Sequence, residues 1–149
     1  MLKTLLLIVV VLMVNFAAAA NGGAEPAEQG VRLPPPPAAG AISLEEALAR
    51  RRSVREFAPG PLTLAEVSRL VWAAQGITAP ERRTAPSPGA TYPLEVYVVA
   101  GEVTGLVAGV YRYRPEPHRL ELMADGDIRL PVGEAAVGQT WMSRAADRD

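Results

Sequence analysis

Four guanidiniums and a hydroxyl fall within six consecutive positions, as Arg50, Arg51, Arg52, Ser53 and Arg55, in a chain whose formal net charge is −1. A guanidinium fork binds phosphate oxygens two at a time, and a serine hydroxyl donates to a third. In an extended run, residues two apart project to the same side, so Ser53 and Arg55 would meet one ligand together. These residue types at this spacing suit an anion of phosphate chemistry. A plainer reading is also open: arginines in the last turn of a helix complement its C-terminal partial charge, by about 0.3–1 kcal/mol each at an exposed site. That reading accounts for Arg50, Arg51 and Arg52 but leaves Ser53 and Arg55 without a role.

The elements that must position this cluster follow from caps and periodicity. Ser43 with Glu46 three residues on has the form of a capping box, and Leu44, Ala47 and Leu48 share one face, which predicts a helix over 43–52. Phe57 and the turn Pro59-Gly60-Pro61 close the extended segment that follows. Thr63 with Glu66 repeats the box, Leu64, Val67, Leu70, Val71 and Ala74 trace an apolar stripe, and Gly76 stops it, so 63–75 is a second helix. Trp72, beside that stripe, is expected to pack into the core rather than stack on a bound ring. Residues 77–91 read as a loop stiffened by Pro80, Pro86 and Pro88, with Gly89 permitting close approach. It suits either a flat ring lying against it or an ordinary helix-to-strand connection. Residues 94–100 predict a strand buried on both sides, and 109–114 with 118–123 predict a hairpin with one wet face around Pro115-Glu116-Pro117. A last helix is expected to be firm only from Glu134 through Met142, because Pro131 weakens its start.

Residues 1–20 have the form of a secretory signal peptide: Lys3, an apolar run of ten residues from Leu5 to Val14, and Ala17-Ala18-Ala19-Ala20. The run falls short of the roughly 20 residues a bilayer span needs, so export to the periplasm or beyond is expected, without a stable membrane anchor. Residues 21–41, ending in the run Pro34 to Pro37, read as a disordered or polyproline linker, and 42–149 as one small domain. A proline run is also a ligand for aromatic-lined grooves, so a non-catalytic exported binding module is the rival to a catalytic function. The near-neutral charge balance argues against a nucleic-acid partner. With no cysteine and His118 as the sole histidine, neither a disulfide, a metal site nor a histidine-based triad is expected.

Three segments in one order resemble the nitroreductase-like FMN-dependent family: RRRSVREF followed by LTLAEVSRLVWAAQGIT, then RTAPSPGATYPLEVYVVAG, then GVYRYRPEPHRLELMADGD with AAVGQTW after it. The likeness is greatest to its SagB-type dehydrogenase branch, which includes the oxidases that form thiazole and oxazole rings. Ala90 and Pro88 stand where ordinary nitroreductases carry an asparagine and its neighbourhood. The resemblance implies an α+β fold with a central antiparallel or mixed sheet flanked by helices. It implies FMN, with Arg51, Arg52 and Ser53 on the phosphate and ribityl chain and Arg55 at the pyrimidine edge of the ring. Pro86, Ser87, Pro88 and Ala90 would form a loop that reaches the flavin from the partner subunit of a homodimer, and Gln139 would contact the ring. The implied activity is hydride transfer through FMN to or from a small-molecule substrate, NAD(P)H being the family's usual donor. No general base is identified. Family members carry a further core strand and interface helices beyond the point matched by Met142, so the resemblance implies the N-terminal part of such a domain.

Overall fold

The computed structural model describes the backbone of Val9–Leu12 and residues 30–145. Its elements in chain order are β1 (Val9–Leu12), β2 (Val31–Arg32), α1 (Leu44–Arg50), β3 (Leu62–Thr63), α2 (Leu64–Gln75), β4 (Ile77–Ala79), β5 (Arg82–Arg83), β6 (Glu95–Ala100), β7 (Val103–Thr104), β8 (Gly109–Arg114), β9 (Arg119–Asp125) and α3 (Arg129–Ala135). Short 3-10 turns lie at Pro88–Ala90 and Thr140–Arg144.

Alternation in the two arms around Pro115 produces the hairpin β8–β9, in antiparallel register from Arg114↔Arg119 to Gly109↔Asp125 with an irregularity between Val110 and Tyr111. β6 joins the other edge of β8, with Tyr97 opposite Arg112 and Ala100 opposite Gly109. The sheet order is β1-β6-β8-β9-β2, antiparallel at every described pairing. The parallel pair β3–β7 stands apart from it. The architecture is thus α+β around an antiparallel sheet.

One face of that sheet carries Val96, Val98, Ala100, Tyr111, Tyr113 and Leu120, and α2 lays Val67 and Val71 upon it. Each such side chain contributes about 1.5–3 kcal/mol on full burial. α2 begins where expected: Thr63 Oγ1 accepts from Glu66 N at 3.2 Å while the Glu66 carboxylate accepts from Thr63 N at 2.8 Å, a complete capping box. The opposite sheet face is wetter than a strand buried on both sides would allow. Only Val96, Val98 and Ala100 of β6 are buried. Glu95 and Tyr97 point outward, where Tyr97 donates to Glu95 at 2.8 Å and Arg112 pairs with the same carboxylate.

Three further expectations need correction. The first helix is shorter, ending at Arg50 with Arg51 as its non-helical C-cap. Ser43 caps Glu46 N at 3.1 Å, but the Glu46 carboxylate pairs with Arg50. The segment read as linker joins the fold: Val31–Arg32 adds an edge strand beside β9 and Leu33 is buried in the core. A tyrosine, a histidine and a serine fasten the next residue, Pro34. Its carbonyl accepts from Ser68 Oγ at 2.5 Å and from His118 Nε2 at 3.1 Å. Because a carbonyl only accepts, Nε2 carries the proton, and Nδ1 is left to accept from the Tyr113 hydroxyl at 2.8 Å. Burial pushes that hydroxyl up to about 12. The third correction is α3, which starts at Arg129 and runs through Pro131; proline is tolerated there because first-turn N–H groups have no helical partner in any case. The helix then ends at Ala135, and Val137 and Gly138 take positive φ before the 3-10 turn, so no single helix spans Glu134 to Met142.

Of the expected signal peptide, only the Val9–Leu12 backbone lies among the described residues, paired with β6; the rest lies outside them. No helix among the described residues is long and apolar enough to cross a membrane.

Candidate functional site

The arginine cluster sits where α1 gives way to extended chain. Arg50 is drawn back along the helix to Glu46. Arg51, Arg52 and Arg55 are exposed and, among the described residues, take part in no ion pair. Arg52 folds its Nη1 onto two carbonyls at the helix end, Ala49 O at 2.9 Å and Arg51 O at 2.8 Å, with no described hydrogen bond at Nε or Nη2. Ser53 is exposed beside them, and residues 51–57, which leave the helix through the Arg51 ψ of 125°, form neither helix nor strand.

The far end of this segment meets the end of the described chain. Arg55 Cζ stands 5.8 Å from the Trp141 ring centroid, and Phe57 meets the same ring at 6.0 Å with a 40° tilt. The turn Thr140–Arg144 that carries Trp141 is clamped from below. Arg129, only 7% exposed, donates to both Asp127 oxygens and, through Nη1, to Ala145 O at 2.5 Å. These bonds hold the Asp127 carboxyl below the usual carboxylate range. The guanidinium fits because residue 101 is glycine: a Cβ there would fall 2.1 Å from Arg129 Cζ. Gln139 precedes this turn; it is exposed, and only its backbone is bonded, from its N to Ala136 O at 3.2 Å and from Met142 N at 3.1 Å.

The third group of expected site residues forms a separately braced loop. Pro86, Pro88 and Ala90 are exposed and Ser87 is half-buried, its hydroxyl accepting from Tyr92 N at 2.9 Å. Gly89, Ala90 and Tyr92 all take positive φ, at 62°, 53° and 43°. For Ala90 and Tyr92 that conformation is costly, of order 1–3 kcal/mol, and it persists only where other contacts impose it. Tyr92 supplies those contacts: its hydroxyl donates to Glu81 O at 2.9 Å and accepts from Arg83 N at 3.3 Å, and the Arg83 guanidinium covers its ring at 4.6 Å. The loop is therefore a preset shape and not a slack connection, although it contains the short hairpin β4–β5 and a 3-10 turn where a plain loop was expected.

The fold thus gathers Arg51, Arg52, Ser53 and Arg55 on one segment and brings the Gln139 end of the chain to it through Trp141. No described hydrogen bond, ion pair or ring contact joins that segment to residues 86–90. Trp141, Tyr92 and Arg129 escaped the sequence reading. The signal for Tyr92 was its place just after a proline-glycine loop; for Trp141 and Arg129 the partners lie far away in sequence, and no local pattern marks them. Trp72 is half-buried, and its carbonyl accepts from Gly76 N at 2.6 Å and Thr84 Oγ1 at 3.0 Å, so it closes α2 onto the next segment.

Comparison with known proteins bears on this arrangement. A protein of Methanocaldococcus jannaschii provisionally named a nitroreductase is 45% identical over 106 residues, covering 70% of this chain and 53% of the relative. Two proteins of Rhizobium leguminosarum bv. trifolii also match: a trifolitoxin operon protein, 32% identical over 74% of this chain and 35% of its own length, and a trifolitoxin-processing protein, 51% identical over 43% and 17%. The chain spans about half or less of the length of these relatives. Residues 48–146, which include the arginine cluster, the braced loop and Trp141, match the Nitroreductase family, and the chain belongs to that family.

Proposed function

We propose that this chain forms the FMN-holding part of an oxidoreductase that transfers hydride to or from a small molecule. The observation that carries the reading is the set of three exposed arginines, Arg51, Arg52 and Arg55, that pair with no carboxylate among the described residues and flank the exposed hydroxyl of Ser53. Uncompensated guanidiniums at that density repel one another and favour an anion between them. The donor chemistry fits a phosphate monoester: Arg51, the remaining nitrogens of Arg52 and the Ser53 hydroxyl would hold it. Arg55, two positions further along the extended segment, would meet the pyrimidine edge of the ring.

Bound FMN would supply two-electron chemistry, accepting a hydride and passing the electrons on. The protein's part is electrostatic. A fixed cation at Arg55 stabilises the negative charge that reduction places at the pyrimidine edge, which favours the reduced state. The loop 86–90, already set in shape by Tyr92, would offer the rigid wall that a flat ring needs, supplied from the partner of a homodimer. The trifolitoxin-related names of two relatives support a SagB-like role, with NAD(P)H as the donor in the alternative nitroreductase role. Export through the N-terminal segment is part of the same proposal. The rival, a binding module acting through its proline arm, loses support from the fastening of Pro34 to Ser68 and His118.

The test is a visible spectrum and FMN titration of the full chain, with its oligomeric state measured on the same sample. Saturable binding is expected, weakened at least tenfold when Ser53→Ala and Arg55→Ala are combined. A chain indifferent to FMN, or a double variant that binds as well as the wild type, overturns the reading.

A further inference from the structure

Arg55 differs from its neighbours in one respect: it lies over an aromatic face. Its Cζ is 5.8 Å from the Trp141 centroid, and Phe57 leans on the same ring at 6.0 Å. Two residues of one segment, two positions apart, therefore lie against a single indole. The turn that carries the indole is anchored, because Ala145, the residue that ends it, is buried and held by Arg129, itself bound to Asp127 on the other side. The consequence for Arg55 is a loss of freedom before any ligand arrives. An exposed arginine ordinarily samples many rotamers, and that entropy is lost when a ligand fixes the fork; a side chain already restrained loses less.

We propose that Trp141 is a positioning residue for Arg55, presenting its guanidinium at the ring-recognition end of the site and thereby setting both the affinity for FMN and the reduction potential of the bound flavin. This rests on the FMN reading above. Trp141 touches no reacting atom in this assignment; it acts through the cation it holds. The phosphate end of the site, at Arg51, Arg52 and Ser53, lies outside its grip, so its influence is confined to the ring. A tryptophan that merely filled space would alter stability and leave the flavin's potential where it was.

The experiment uses the full chain as wild type, Trp141→Leu and Trp141→Phe. FMN binding is followed by flavin absorbance and fluorescence, and the midpoint potential of the bound flavin by dye equilibration. Loss of one exposed cation–π contact corresponds to a weakening of about two- to fivefold. Trp141→Leu is expected to show that weakening and a more negative potential. Trp141→Phe, which keeps an aromatic face beside Arg55, should recover most of both. In an Arg55→Leu chain, Trp141→Leu should produce no further shift in potential. Should Trp141→Leu not fold, a Trp72→Phe chain leaves Trp141 as the sole indole. Its emission should then change on Arg55→Leu and be quenched by FMN, and an emission that ignores both overturns the proposal. Unchanged affinity and potential in a folded Trp141→Leu chain overturn the proposal while the FMN reading stands. Absence of FMN binding by the wild type overturns both.

Discussion

Replacing Gly101 with alanine puts a carbon where Arg129 already stands. An ideal Cβ at that position falls 2.1 Å from both Cζ and Nε of the guanidinium, well inside the ~3.5–4.0 Å of favourable carbon contact. The backbone has little room to yield, since Ala100 is paired with Gly109 in the sheet and Glu102 O accepts from Leu62 N at 3.1 Å. The guanidinium must therefore leave, and its bonds to Asp127 and to Ala145 O go with it. The pair is unevenly exposed, the side chain of Arg129 at 9% and that of Asp127 at 38%. Its loss should thus lie between the ~3–5 kcal/mol of breaking a buried pair and the ~1 kcal/mol at most of a surface pair, at about 2–4 kcal/mol. Urea unfolding of the full chain reads this directly, as a lower midpoint at an unchanged slope. A double-mutant cycle isolates the cause: in an Arg129→Ala chain the new methyl has nothing to strike, and Gly101→Ala should cost less than about 0.5 kcal/mol or even stabilise. Equal costs in the two backgrounds, or less than about 1 kcal/mol in the wild type, would show that the close approach of Gly101 and Arg129 is not what holds the C-terminal turn.

Substituting His118→Leu removes the acceptor of the buried Tyr113 hydroxyl and a donor to the Pro34 carbonyl, which keeps its bond from Ser68, and leaving the hydroxyl unsatisfied costs about 1–3 kcal/mol. Urea unfolding should show that loss, and adding Tyr113→Phe should recover part of it; no recovery would mean that the hydroxyl finds another partner. Acid should weaken the Arg129 clamp in a definable window. Asp127 is held below its ordinary value of 3.8 in the fold, so its contribution is fully present above that value and is lost as pH falls through the lower folded one. The urea midpoint should therefore hold steady through this group's range above about pH 5 and fall below about pH 4. In Asp127→Asn that component of the acid slope should vanish, and an unchanged slope would sink the assignment.

The parts of the fold legible in the sequence are those in which cause and effect lie within a few residues. Thr63 and Glu66 announce α2 because a cap closes over three positions, and β8–β9 is announced because alternation and a proline turn are local patterns. Pro131 misled for an instructive reason. A proline opposes a helix interior but not a first turn, and which of these it occupies depends on where Arg129 is placed by Asp127 and Ala145, neither of which lies within the pattern. Leu33 likewise carries no local sign that it leaves a proline-rich stretch for the core; the surface that buries it is assembled from α2 and the sheet. The site divides the same way. Arg51, Arg52, Ser53 and Arg55 are conspicuous as a string, whereas Trp141 becomes relevant only when the chain's end is folded onto that string. The loop 86–90 showed its glycine and prolines but not the positive φ of Ala90 and Tyr92, which a tyrosine hydroxyl and a stacked arginine impose.

α1 has a thermodynamic consequence for any ligand of the cluster it carries. It is seven residues long and buries none of them, with Leu44 at 70% and Leu48 at 63% exposure. A helix of that length is marginal in water without packing, so the scaffold of Arg51 and Arg52 is in equilibrium with less ordered chain. An anion that binds the ordered form draws that equilibrium toward helix, and its observed affinity is the intrinsic one multiplied by the ordered fraction. Whatever covers Leu44 and Leu48 raises the same fraction. Ligand binding is then linked to the order of α1: helical content should rise with ligand, and a self-association that covered Leu44 and Leu48 would make affinity rise with protein concentration, each reporting the same reservoir of unordered chain.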